Sequence, residues 1–268
     1  MATRTPPSAL EPYLQLPPET SLILLTGTLG CNANWLTSRM ISSTLSPPNN
    51  DESTEKPISV LLISWLRDLP FWKNELRRTT GLDISKLPKG HFTFLDLFTT
   101  PPPEPHLTNL ILSTITTLKT TFPASKILLV LDGPDILLAT GTLTSQNLNT
   151  LLLQLRSQVH ATILSCSADL PLLAAATGST ESRPTPIEVE SAAVLTTQAH
   201  NARTVMSVRE LETGAAKDVS GVLRVTKGGD AEGYDGESEG GDGVKEAELL
   251  YLVQRDGNVK VFSRGSDQ

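Results

Sequence analysis

The sequence predicts an α/β protein: a mostly parallel sheet flanked by helices, with antiparallel strands toward the C-terminal end. Three features point there. Short, near-continuous apolar runs alternate with stretches whose apolar residues recur every three or four positions, the pattern of strands buried on both faces and separated by covering helices. A strand, a glycine-bearing turn and a helix follow one another near the start. After about residue 186 the spacing tightens into extended runs, the last two flanking Arg255-Asp256-Gly257-Asn258. Asp-Gly between extended runs marks a hairpin.

Taken in order, proline-rich residues 1–18 read as a flexible lead-in and residues 19–268 as one domain. Leu22-Ile23-Leu24-Leu25 is the first strand and Trp35 to Leu45 the first helix. Residues 47–57 form a polar, proline-flanked insertion that is expected to be disordered. Ser59 to Ser64 is the next strand, followed by a helix over Leu69 to Thr80 with Trp72 and Leu76 on one face. Phe92 to Asp96 reads as a strand and Thr99 to Pro105 as a loop. Leu107, Leu110, Ile111, Ile115, Leu118 and Phe122 then mark one face of a helix. Lys126 to Asp132 is the strongest strand, apolar throughout and ending in a carboxylate. Leu148, Leu151, Leu152, Leu155 and Val159 give the next helical stripe, and Ala161 to Cys166 the next strand. Ala192 to His200 is helical. Thr204 to Glu210, Gly221 to Thr226, Leu249 to Gln254 and Val259 to Phe262 are extended, with a second disordered insertion over residues 228–247.

At 268 residues the chain is long enough to bury a substantial core. Its formal charge is −7, but eight acidic residues and one lysine between Asp230 and Glu248 account for all of it, leaving 21 acidic and 21 basic residues elsewhere. The folded part is therefore neutral, and the acidic total does not argue against an RNA partner. Two distant cysteines, Cys31 and Cys166, point to a reduced intracellular protein. The start of the chain lacks the apolar core of a signal peptide, and no apolar run approaches a membrane span, so a soluble chain is expected.

The turn after the first strand carries the most information. Thr26-Gly27-Thr28-Leu29-Gly30-Cys31-Asn32-Ala33-Asn34 stands where a phosphate-binding loop belongs. In a working loop the second glycine lets backbone N–H groups approach the phosphates, the following lysine neutralises their oxygens, and a Ser/Thr hydroxyl holds Mg²⁺. Counted from Gly27, those places hold Asn32, Ala33 and Asn34, and no lysine lies between Ser21 and Leu45. Asp132 ends its strand as a magnesium-holding aspartate would, yet Asp132-Gly133-Pro134-Asp135 is also a good turn. An ATPase would further need a carboxylate base near the end of the second strand. Asp68 alone is available there, and it is expected to pair with Arg67 or cap the next helix. Trp65 and Trp72 are equally core or interface candidates. Arg67, Lys73, Arg77 and Arg78 gather around one helix, a solvated face by default and otherwise a subunit-facing or RNA-facing patch. No Ser-His-Asp, Cys-His or paired-carboxylate spacing stands out, and the four histidines are scattered. No catalytic residue, metal site or cofactor is expected.

Several stretches together resemble the subunit 6 family of the Elongator complex, in a fungal form. They are Leu62-Ile63-Ser64-Trp65-Leu66-Arg67-Asp68 with Phe71-Trp72 and Glu75-Leu76-Arg77-Arg78, Leu129 through Ala139 with its Leu-Asp-Gly-Pro-Asp core, and Thr213-Gly214-Ala215-Ala216-Lys217-Asp218-Val219-Ser220-Gly221 through Arg224. The resemblance spans most of residues 21–264 outside the loops, and none of its pieces is an enzymatic signature. It implies a RecA-like domain without a functional P-loop. It also implies assembly with Elongator subunits 4 and 5, two copies of each, into a six-membered ring. That ring serves wobble-uridine modification of tRNA, binding tRNA and hydrolysing ATP as an assembly. A cytoplasmic location follows, with the nucleus as a second. By the same resemblance, residues 133–145 and 168–186 would be the loops facing the ring's pore, and Arg183 is their only basic residue.

The leading expectation is thus a non-catalytic ring subunit. Two alternatives remain open at this level: an ATPase with an unorthodox nucleotide site, favoured if the isolated chain binds nucleotide, and a RecA-like recombinase paralogue, favoured by a preference for single-stranded DNA over tRNA.

Overall fold

The computed structural model describes residues 4–46, 57–177, 183–214, 216, 218–231 and 243–263. Among the described residues nine strands form one sheet: β1 (Leu22–Gly27), β2 (Ile58–Ser64), β3 (Phe92–Asp96), β4 (Lys126–Asp132), β5 (Ala161–Ser167), β6 (Thr204–Arg209), β7 (Gly221–Lys227), β8 (Ala247–Val253) and β9 (Val259–Ser263). Seven α-helices accompany them: α1 (Asn34–Leu45), α2 (Leu69–Thr80), α3 (Glu104–Thr121), α4 (Ile136–Ala139), α5 (Ser145–Arg156), α6 (Leu170–Thr177) and α7 (Pro186–Asn201). The strand order is β3-β2-β4-β5-β1-β6-β7-β8-β9. The first six strands in that order pair parallel, and β7, β8 and β9 continue the sheet antiparallel. The expected α/β class, with its C-terminal antiparallel strands, is what the chain adopts.

Alternation along the strands divides the core in two. Ile23, Leu25, Val60, Leu62, Leu128 and Val130 face α1, α2 and the curl of β7–β9. Leu22, Leu24, Leu61, Ile63, Leu129 and Leu131 face α3, α5 and α7. Because both faces are covered, the central parallel strands carry continuous apolar runs, Leu22 to Leu25, Val60 to Ile63 and Ile127 to Leu131, which makes them legible. The stripe of α3 is Leu107, Ile111, Ile115 and Leu118; Leu110 falls outside it and is exposed, since it lies 100° round the helix from Ile111. The hairpin between β8 and β9 turns at Asp256-Gly257, where Gly257 takes a φ of 83°.

The lead-in is not the flexible segment its prolines predict. Residues 8–13 form a 3-10 turn, and Leu10 and Leu14 are buried in the same core as Trp35 and Tyr251. The Arg4 N–H donates to the Thr80 carbonyl at 2.7 Å, and its guanidinium meets Asp256 at 3.3 Å. Buried Arg39 donates to the Arg4 carbonyl and to Asn258 Oδ1, tying α1, the arm and the hairpin turn together. Prolines bar a long regular helix but do not stop a short 3-10 arm from burying two leucines. Of the two insertions, residues 47–56 and 232–242 lie outside the described residues, as do Ala215 and Lys217 in the stretch before β7. Among the described residues, no helix is long and apolar enough to cross a membrane.

Candidate functional site

Ligands of open parallel sheets bind beyond the carboxyl ends of the strands. Here β1, β2, β4 and β5 end around a cleft of about 290 Å³ lined by residues 27–34, Leu66, Arg67, Asp132, Asp135 and Asp169 among others. The degenerate loop, the strand-end aspartate and the end of β2 thus converge, as their sequence positions imply.

The loop is folded on itself. Thr28 and Cys31 form an antiparallel bridge, and the Cys31 carbonyl sits so close over Gly27 that a Cβ there would collide with it. Four of its N–H groups are turned to internal acceptors: Thr28 to the Val208 carbonyl, Leu29 to Asp169 Oδ1 at 2.6 Å, Cys31 to the Thr28 carbonyl and Asn34 to Asn32 Oδ1. A phosphate cradle needs such donors free and pointing at the ligand. Asn32 spends its side chain on the start of α1, and Ala33 is buried.

Where a divalent cation would sit between the α1 hydroxyl position and the strand-end carboxylate, the structure places a guanidinium. Arg67 Nη1 donates to Asp132 Oδ1 at 3.0 Å and Oδ2 at 3.2 Å. With the Asn34 amide oxygen turned toward it, Arg67 donates from Nη2 and Nε to Asn34, each at 3.2 Å. The Ser64 hydroxyl donates to Asp132 Oδ2 at 2.7 Å and itself accepts from the Arg67 N–H at 3.0 Å. The Phe71 ring lies 5.2 Å from the Arg67 guanidinium carbon, at cation–π distance. Asp132 is almost wholly buried, its side chain 3% exposed against 23% for Arg67. Every polar atom of this carboxylate is satisfied from within the chain.

The rest of the cleft is unfriendly to phosphate. Asp135 accepts from the Ser167 N–H at 3.0 Å, while its Oδ1 is buried with no hydrogen-bond partner among the described residues. Burial, with the nearby Asp132 charge, pushes the Asp135 carboxyl above the usual carboxylate range. Burial likewise pushes the Cys166 thiol up, with Asp135 and Asp132 adding to it. Cys31 and Cys166 are both free and buried. Among the described residues no group of three His, Cys, Asp or Glu side chains is arranged to hold a metal.

The remaining sequence candidates scatter. Asp68 caps α2, its Oδ1 accepting from the Phe71 N–H at 2.9 Å, and it does not pair with Arg67. Trp65 and Trp72 belong to the core, 5% and 0% exposed, which corrects their reading as interface or RNA-facing residues: each enters one of the two apolar clusters. Arg77 and Arg78 are exposed in the last turn of α2, where positive charge suits the helix dipole, and Arg78 pairs with Glu75 at 3.1 Å. They sit at the end of α2 remote from Asp68 and the cleft. Arg183 is exposed in the stretch before α7, and α6 occupies much of what reads as a loop over residues 168–186. Arg67 leaves the expected basic patch altogether and becomes the centre of the cleft. Ser64 was not foreseen as a member; its in-register pairing with Asp132 across β2 and β4 puts it there.

Neither a protein-family model nor a curated protein sequence matches this chain. Among solved structures it is similar to the crystal structure of a KaiC-like protein from the hyperthermophilic archaeon Pyrococcus horikoshii, with 18% identity, a TM-score of 0.52, and coverage of 91% of this chain and 90% of that one. The fold is RecA-like. At that identity the likeness speaks for the architecture alone, and the chemistry must be argued from the residues in the cleft.

Proposed function

We propose that this chain is a non-catalytic RecA-like ring subunit, and specifically the subunit 6 component of Elongator. It would assemble with subunits 4 and 5 into a hetero-hexamer that supports wobble-uridine modification of tRNA in the cytoplasm and nucleus. The observation that carries the non-catalytic half is the Arg67–Asp132 pair. An internal cation already occupies the electrostatic place of Mg²⁺, so a metal would have to displace that arginine from the carboxylate. The Elongator half rests on the quoted sequence stretches, three of which lie at this cleft: Ser64 to Asp68, Asp132 to Asp135, and Ser220, whose carbonyl accepts from Cys31 Sγ at 3.8 Å. A fold retained without its chemistry keeps its surfaces as its task. No cofactor is required, and tRNA would be held by the assembled ring.

Two measurements test this. The isolated chain should show no ATP binding by calorimetry at micromolar concentration, because the charge-assisted contacts to a triphosphate are missing. Micromolar binding would favour the reading as an ATPase with an unorthodox site. The chain alone should be monomeric or poorly soluble and should become a defined hetero-oligomer when co-expressed with Elongator subunits 4 and 5, by light scattering. A homohexamer indifferent to those partners would overturn the ring assignment. Co-purification with recombination proteins and preference for single-stranded DNA would favour the recombinase reading.

A further inference from the structure

At the opposite end of the sheet, where β1 and β6 begin, a slot of about 460 Å³ runs beneath the N-terminal arm. That size takes a small organic ligand. Pro12, Tyr13 and Leu16 line it from the arm, Ile23 and Met206 from the sheet, and Val244 from the stretch before β8. All but Pro12 belong to, or pack against, the apolar cluster of Leu10, Leu14 and Trp35, so the slot opens on the margin of the core. Its charged groups have one sign: Arg203 and Lys245 line it, and no carboxylate does. Thr204 stands opposite Ile23 in the β1–β6 register, only 7% exposed. The Thr204 hydroxyl has no hydrogen-bond partner among the described residues, and a hydroxyl buried to that depth costs free energy until it meets one. Burial alone pushes the Tyr13 phenol above the usual tyrosine range, which keeps it a neutral O–H donor at the same slot. The wider hollow on the other side of the arm, about 1060 Å³, is lined by Glu19 as well as Lys126 and lacks this single sign. Two cations, two hydroxyl donors and apolar walls are the complement of an acidic group carried on an apolar body.

We infer that the slot beneath the arm is a binding site for a small amphipathic organic anion, one acidic group on an apolar body. Arg203 and Lys245 supply the opposite charge, and the Thr204 and Tyr13 hydroxyls donate to the acidic oxygens. The apolar body lies against Leu16, Met206 and Val244. The site owes nothing to the cleft at the carboxyl ends of the strands and stands apart from the ring-subunit reading.

The test titrates the full chain with two fluorescent dyes, anilinonaphthalene sulfonate and phenylnaphthylamine, which share their rings and differ by the sulfonate. The sulfonate dye should bind at one site per chain, at least tenfold more tightly than the neutral one. Lys245→Gln, on an exposed side chain, should weaken the sulfonate dye at least fivefold and the neutral dye less than twofold. Val244→Trp, which fills the slot from its rim, should abolish binding of both. Hydrogen exchange of the wild-type chain should show residues 12–18 and 203–206 protected by the sulfonate dye, a readout that needs no variant to fold. Sulfonate binding that Lys245→Gln and Val244→Trp leave intact, or protection elsewhere, would place the dye on another surface and overturn the site. Equal affinity for the two dyes would overturn its preference for an anion. A chain lacking the acidic stretch 232–242 should bind the sulfonate dye within twofold of the parent. A tenfold gain there would make those acidic residues the occupant of the slot and overturn the ligand.

Discussion

Asp132→Ala should destabilise the protein by about 3 kcal/mol, lowering its melting temperature by roughly 6–12 °C. The substitution leaves the Arg67 guanidinium with its carboxylate gone and the Ser64 hydroxyl without its acceptor. Arg67→Met should cost at least as much, because the charge it strands, on Asp132, is the more deeply buried of the two. The double variant should fall well short of the sum, with a coupling of about 1–3 kcal/mol. The sign separates two roles for this aspartate. A carboxylate kept for a metal ion is held against electrostatic cost, and removing it leaves the metal-free fold unharmed or more stable. A carboxylate kept as the partner of an internal arginine is part of the fold itself. Chemical denaturation of the four proteins, with no nucleotide present, measures it; an unchanged or raised stability of Asp132→Ala would show that the pair does not hold the sheet ends together.

What the sequence disclosed follows from how far each feature depends on local pattern. Strands β2, β3 and β4 and helix α2 lie within a residue of their expected limits, because a parallel sheet covered on both faces writes itself as apolar runs between helical stripes. Helix α6 leaves no such pattern. Its Leu-Pro-Leu-Leu-Ala-Ala-Ala-Thr sequence has no polar face to reveal a helical period. In the lead-in, prolines dominate the composition, while the structural information lies in two leucines four residues apart, Leu10 and Leu14. The cleft was legible only by subtraction. The missing lysine and hydroxyl could be read along the chain, but what replaced them could not. Arg67 stands 65 residues from Asp132, and only the register that aligns Ser64 with Asp132 brings the turn after β2 onto the carboxylate. Pairing across non-sequential strands leaves no trace in local spacing.

Trp72 carries the other large expected effect. It is the largest fully buried side chain among the described residues, on α2, which packs against α1, in the cluster that also holds Leu36, Leu62 and Leu76. Its neighbour Phe71 meets it edge-on, ring centroids 5.7 Å apart, and is itself 36% exposed. Truncation to alanine removes an indole from a close-packed interior that cannot collapse around a rigid sheet, so Trp72→Ala should cost about 3–5 kcal/mol. Phe71→Ala, losing a half-exposed ring and its contact with Arg67, should cost about 1 kcal/mol. The indole N–H of Trp72 is buried without a partner, so Trp72→Phe should recover most of the loss by keeping aromatic volume while discarding an unsatisfied donor. An interface tryptophan would behave otherwise: the free chain would melt as before, and only partner binding would fall. Denaturation of the isolated chain beside its three variants discriminates the two. A Trp72→Ala protein as stable as the parent would return this residue to the surface, where its sequence equally allowed it to be.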